Sequence, residues 1–185
     1  MSDDPVRTLV HTDEGDLPFQ HYFVRRRCEP ILIDLSYVGA DRARISNEVR
    51  TAIEQAELIV FCPSNPYLSI DPVLSVAGLR RLVRKATAPK VAVSPIIGGQ
   101  AVKGPAAKIM RELGQAINPM TVAEHYDGLL TGFVLDQQDQ GLEQALGIPT
   151  KVTDTLMTDT SKRSRLAQEV LSFGMELAMV PVTVK

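Results

Sequence analysis

Short β-branched apolar runs alternate with longer helical patterns along this chain. Ile31-Leu32-Ile33-Asp34-Leu35, Leu58-Ile59-Val60-Phe61-Cys62, Val91-Ala92-Val93 and the stretch Leu129 to Leu135 are mostly apolar on both faces. Such runs suit strands buried on both sides, as in a parallel sheet. A fifth, weaker run covers Thr150 to Thr153. Between the runs, spacing predicts crossover helices over about Ile45 to Ala56, Pro72 to Ala86 and Pro105 to Ile117, then a shorter one near Thr121 to His125. A closing helix over about Ser161 to Ala178 places Leu166, Val170, Phe173 and Leu177 on one stripe. The order βαβαβαβ and onward predicts an α/β fold with a doubly wound, mostly parallel sheet.

Local chemistry sets several boundaries. Asp71 is placed to cap the helix that Pro72 begins, because proline at the first helical position gives up no needed donor. Gly104-Pro105 is expected to open the next helix in the same way. The first thirty residues differ from the rest. Val6 to Val10 reads as extended, Thr12 to Asp16 as a turn, and Phe19 to Arg27 as a short helix ending in Arg25-Arg26-Arg27. The expected division is therefore residues 1–30 as an extended segment and short helix facing an acceptor or partner, and residues 31–185 as the α/β domain. The tail from Met179 to Lys185 is expected to be an edge strand or loose.

Composition narrows the class. A chain of 185 residues, 44% hydrophobic and 23% charged, has the make-up of one globular domain. Twenty basic against twenty-two acidic residues leave a formal net charge of −2, which offers no broad field for nucleic acid or an anionic membrane. No apolar run approaches the ~20 residues that span a bilayer, and Met1-Ser2-Asp3-Asp4 does not read as a leader. The expectation is a cytoplasmic protein. Cys28 and Cys62 are too few for a disulfide scaffold; Cys62, at a strand end with no nearby histidine, reads as core.

Ligands of open parallel sheets gather beyond the carboxyl ends of the strands, so the segments there carry the candidate chemistry. After Phe61 comes a polar, proline-stiffened loop running from Cys62 to Pro72, in which Ser64, Asn65 and Ser69 offer short donors and acceptors. It leads into a helix start with free N–H groups, an arrangement suited to a phosphate or a nucleobase edge. The plain alternative is a rigid turn that satisfies its own backbone. After Val93, Gly98 and Gly99 permit close backbone approach and Lys103 supplies a point charge, the parts of an anion cradle. It is no Walker A loop, since no Gly-Lys-Ser/Thr occurs; the alternative is a turn that needs glycine. Asp136 and Asp139 close the fourth run, and Asp154 and Asp159 flank the fifth. Carboxylates there could hold Mg²⁺ or cap helices. His125 and the arginine run read as surface or packing residues.

Read together, these segments carry a resemblance. Pro63-Ser64-Asn65-Pro66, Ser69-Ile70-Asp71-Pro72-Val73-Leu74, Val91 to Gly99, Lys103-Gly104-Pro105, His125-Tyr126, Asp136 and Asp154-Thr155-Leu156-Met157 resemble the 2-phospho-L-lactate transferase (CofD-like) family of coenzyme F420 biosynthesis. His11 to Gly15, Phe19-Gln20 and Tyr22-Phe23-Val24 fit as well. The resemblance runs from about Val6 to Val170 and implies a three-layer Rossmann-like fold. It also implies a reaction: a phospholactyl or phosphoenolpyruvyl group moves from a guanosine diphosphate-linked donor to a deazaflavin acceptor, GMP leaves, and Mg²⁺ serves as cofactor. Ser64, Asn65 and Ser69 would then contact the nucleotide, while Gly98, Gly99 and Lys103 would cradle its phosphates.

One departure stands beside the matches. The family begins with a Rossmann-like strand, a glycine-rich loop and an acidic stretch that this sequence lacks, so the match is to its carboxyl-terminal part. A sheet without its first strand has an edge to cover, which favours a homodimer or a partner supplying the amino-terminal half. The rival reading is a non-catalytic nucleotide-binding or interaction module derived from such a transferase.

Overall fold

The computed structural model describes residues 2–179. Two sheets organise it. In the first, β1 (Arg7–Thr12) pairs antiparallel with β2 (Gly15–Pro18) on one side and with β3 (Leu32–Val38) on the other. The β1–β2 turn is closed by the Thr12 hydroxyl, which donates to the Gly15 carbonyl at 2.6 Å. A short π-helical turn, His21–Arg25, follows and buries Tyr22.

The second sheet is parallel, with the order β4 (Ile59–Phe61), β5 (Lys90–Val93), β8 (Gly132–Asp136), β9 (Thr150–Thr153). Between β5 and β8 a two-residue-per-strand hairpin forms from β6 (Ile96–Ile97) and β7 (Gln100–Ala101). The helices are α1 (Asn47–Glu54), α2 (Asp71–Leu74), α3 (Leu79–Lys85), α4 (Ala106–Glu112), α5 (Pro119–His125) and α6 (Thr160–Met179). One face of the parallel sheet buries Phe61, Ala92, Phe133 and Leu135 with Leu79, Val83, Ile109 and Val122 of the helices. On its opposite face Val91, Val93 and Val134 pack against Leu166, Val170 and Phe173 of α6. No helix among the described residues is long and apolar enough to cross a membrane.

Four expectations change. The Ile31 to Leu35 run does not enter the parallel sheet: as part of β3 it pairs with β1, and Ile33 is 60% exposed. Through β3 the antiparallel pairing reaches Val38. The described parallel strands run in chain order, so their order does not reverse and they do not by themselves make a doubly wound sheet. The helix expected from Pro72 to Ala86 is interrupted after Leu74, and Gly78, at φ +83°, starts α3 from a left-handed conformation that a side chain would strain. Cys62 is exposed, not core. The expected tail strand falls largely on residues 180–185, outside the described residues.

Lys108 and Glu112 tie the antiparallel unit to the α/β body. Glu112 accepts the Leu32 N–H at 3.0 Å and the Lys108 ammonium at 2.7 Å. Lys108 also donates to the Pro30 carbonyl at 2.9 Å. Burial works to lower the Lys108 pKa, yet its bonds to Glu112 and Tyr22 leave it above the ordinary lysine value.

Candidate functional site

A cleft of about 590 Å³, open mouth included, lies beyond the carboxyl ends of β4, β5 and β9. Its walls come from Pro63, Ser64 and Asn65 after β4, from Ser94 and Ile97 after β5, from Lys103 and Ala106 at the start of α4, and from Thr155 and Met157 after β9. This is where strand-end geometry leads a ligand to be sought.

Local hydrogen bonding fixes most of the wall. The Asn65 side-chain oxygen accepts the N–H groups of Tyr67 at 3.0 Å and Leu68 at 3.1 Å, capping the π-helical turn Pro66–Ile70. That leaves its amide nitrogen buried with no partner. Ser94 is fully occupied: its hydroxyl donates to the Ile96 carbonyl at 2.9 Å and accepts the Ile96 N–H at 3.1 Å. Thr155 is anchored from behind by Asp136, which is 1% exposed and accepts both its N–H at 2.7 Å and its hydroxyl at 3.0 Å. Neither the Ser64 hydroxyl nor the Lys103 ammonium has a hydrogen-bond or ion-pair partner among the described residues, and Lys103 is exposed.

The structure thus gathers Ser64, Asn65 and Lys103 on one cleft and leaves Ser69, Gly98 and Gly99 outside its lining. Ser69 is exposed on the far part of its turn. Gly98 and Gly99, at φ +54° and +73°, form the β6–β7 turn. The Gly98 N–H is already taken by the Asp139 carboxylate at 3.0 Å, so it is not free to hold a phosphate. Burial, with the Asp136 charge adding to it and the Gly98 N–H opposing, raises the Asp139 pKa above the usual carboxylate range.

The strand-end carboxylates are likewise committed. Asp136 also accepts the Gln138 N–H at 3.0 Å. Asp154 accepts the Leu156 N–H and pairs with Lys162 and Arg165; the Leu156 N–H first, and then the two cations, hold its pKa down. Asp159 caps α6 through the Lys162 N–H at 2.9 Å. No group of three or more His, Cys, Asp or Glu side chains gathers among the described residues. Committed to these partners, the carboxylates do not fit a Mg²⁺ site.

Asp71 does not cap its helix. Its carboxylate instead meets His125 Nε2 at 2.8 Å, across 54 residues of sequence. The fused signals that sequence reading missed, Thr155 held by Asp136 and Asp71 held by His125, rest on long-range partners that no spacing announces.

Comparison with known proteins places this geometry. Residues 1–172 match the family model described as 2-phospho-L-lactate transferase CofD. The chain is 43% identical over 174 residues to a 2-phospho-L-lactate transferase of Methanosarcina mazei, covering 92% of this chain and 57% of that protein. It is 36% identical over 185 residues to a phosphoenolpyruvate transferase of Streptomyces griseus, covering 96% of this chain and 58% of that one. In fold it is similar to the crystal structure of a UPF0052 family member from Bacillus halodurans, with a TM-score of 0.63 at 17% identity, covering 92% of this chain and 60% of that one. The chain spans a little over half the length of the relatives it matches.

Proposed function

The chain belongs to the 2-phospho-L-lactate transferase CofD family, and from that membership we propose that its cleft seats the phosphate-bearing end of a guanosine diphosphate-linked donor. One observation carries the reading: the lining residues' polar groups that lack a partner, the Ser64 hydroxyl, the buried Asn65 amide nitrogen and the Lys103 ammonium, can all donate, and no carboxylate lines the cleft. Such a set complements an anionic ligand rich in acceptors.

In the proposed reaction the acceptor's hydroxyl oxygen bonds to the phosphorus that carries the lactyl or enolpyruvyl group. The bond from that phosphorus to the bridging oxygen breaks, GMP leaves with the electron pair, and the hydroxyl proton passes to solvent. Transfers of this kind are accelerated mainly by positioning and charge stabilisation. Lys103 would offset charge on the non-bridging oxygens, while Ser64 and Asn65 would orient the diphosphate. A deazaflavin is the acceptor in this reading.

The reading includes a partner. Among the described strands β4 pairs only with β5, and beside it Val60, Cys62, Val93, Leu166 and Leu171 line an apolar groove of about 580 Å³. Polypeptide equivalent to the amino-terminal half of the longer relatives would pair with β4, cover the groove and complete the acceptor side.

The test is titration of GDP into the wild type and Lys103→Ala. Because Lys103 is exposed and makes no ion pair among the described residues, its loss should leave folding intact and weaken GDP binding by more than about tenfold, ~1.4 kcal/mol. An unchanged dissociation constant would remove Lys103 from the site.

A further inference from the structure

We infer that His125 and Asp71 are positioning residues that hold the segment Pro63–Ile70 closed, so that Ser64 and Asn65 face the cleft. Four successive amides converge on Asn65: Tyr67 and Leu68 donate to its side chain, and Ser69 and Ile70 donate to its carbonyl at 3.0 and 3.3 Å. The turn is therefore wound around the residue that carries the unpartnered donor. Asp71 follows it directly and is the last point at which the turn can be tethered.

That tether reaches α5. Asp71 and His125 are each 18% exposed, and the imidazole lies edge-on to the Tyr67 ring with centroids 4.7 Å apart. Two further contacts grip Tyr67. Its carbonyl accepts the Tyr37 hydroxyl of β3 at 2.6 Å, and its own hydroxyl donates to Gln115. Burial first, and then the Asp71 charge, push the Tyr67 pKa up to about 12 and that of Tyr126 still higher, so these phenols stay neutral near the carboxylate. Tyr37 and Gln115 fix the middle of the turn, whereas the His125–Asp71 pair fixes its end. His125 is itself the last residue of α5, steadied by Arg80 on its carbonyl at 3.4 Å. Loss of either member of the pair would free the turn to open away from the cleft while leaving the parallel sheet untouched.

The ligand-binding half of this inference rests on the cleft being a phosphate site; the holding half does not. The experiment therefore has two readouts on wild type, His125→Ala, Asp71→Ala, the double variant and His125→Gln. Amide hydrogen exchange at Tyr67 to Ile70 reads the turn, and pyrophosphate titration reads the cleft. Each alanine variant should speed exchange at those four amides by about tenfold, with β8 and α6 unchanged. Each should weaken pyrophosphate binding by a similar factor. The double variant should be no worse than either single one, because the pair acts as a unit. His125→Gln, which keeps a donor for Asp71, should recover most of both losses. Unchanged exchange in a folded His125→Ala overturns the inference, as do losses that multiply in the double variant. Faster exchange with unchanged pyrophosphate affinity also overturns it and leaves the phosphate reading standing. If wild type binds no pyrophosphate while exchange still quickens, the phosphate reading fails and the tether remains.

Discussion

Replacing Glu112 by Ala should detach the antiparallel unit from the body of the molecule. The side chain is 14% exposed and serves two partners, the Leu32 N–H and the Lys108 ammonium. Removing it leaves the Leu32 N–H without an acceptor, a loss of about 1–3 kcal/mol for a buried donor. The broken pair with half-buried Lys108 adds roughly 0.5–1 kcal/mol, held down because Lys108 keeps the Pro30 carbonyl. The sum is about 1.5–4 kcal/mol. For a chain of this size each kcal/mol moves Tm by about 2–4 °C, so Glu112→Ala should melt roughly 3–16 °C early. Glu112→Gln keeps an oxygen for Leu32 and should lose only about 1 kcal/mol. Thermal melts followed by circular dichroism give the two shifts, and amide exchange at Leu32 locates them. A Glu112→Ala variant melting within about a degree of wild type would refute the reasoning, as would a Gln variant that loses as much as Ala.

Asp139→Asn tests the buried carboxylate. A native pKa raised by burial means that this group's contribution is fullest below the ordinary Asp value and is lost as pH rises through the native one. Asn keeps an acceptor for Gly98 without the charge, so urea melts should show the variant gaining on wild type from pH 4 to pH 7; the opposite trend contradicts the assignment. Gly39→Ala should be strongly destabilising, by about 2 kcal/mol or more, because φ is +90° and the added methyl would stand 2.6 Å from the Pro5 carbonyl oxygen; a native-like urea midpoint would contradict it. In thiol titration Cys62 should react at once, whereas Cys28, buried and with its pKa raised by that burial, should react only on unfolding; two equally fast thiols would be inconsistent with this fold.

The parallel strands and α6 were legible because their signals are local. Val91 to Val93 and Phe133 to Leu135 are apolar at every position and are buried on both faces, and the Leu166, Val170, Phe173 stripe lies against that sheet as its spacing predicts. The run at Ile31 to Leu35 looks the same but ends on an exposed antiparallel sheet. Its placement depends on pairing with β1, a long-range choice that apolar content does not encode. The candidate site was legible to the extent that strand ends collect ligands. Ser64, Asn65 and Lys103 meet on one cleft, whereas Gly98 is removed from it by a carboxylate 41 residues away. The two residues that organise the cleft from behind, Asp136 and Asp71, gave only the signal of a carboxylate near an element boundary. Their partners, Thr155 and His125, are visible only in the folded chain.

The most direct test of the central claim compares GDP with guanosine by isothermal titration into the wild-type chain. A cleft whose free groups are all donors should take its affinity from the phosphates. GDP should therefore bind in the micromolar range, and guanosine should be weaker by at least about a hundredfold, ~2.7 kcal/mol. Equal affinities for the two, or no GDP binding at millimolar concentration, would contradict the assignment of the cleft to the donor's phosphates.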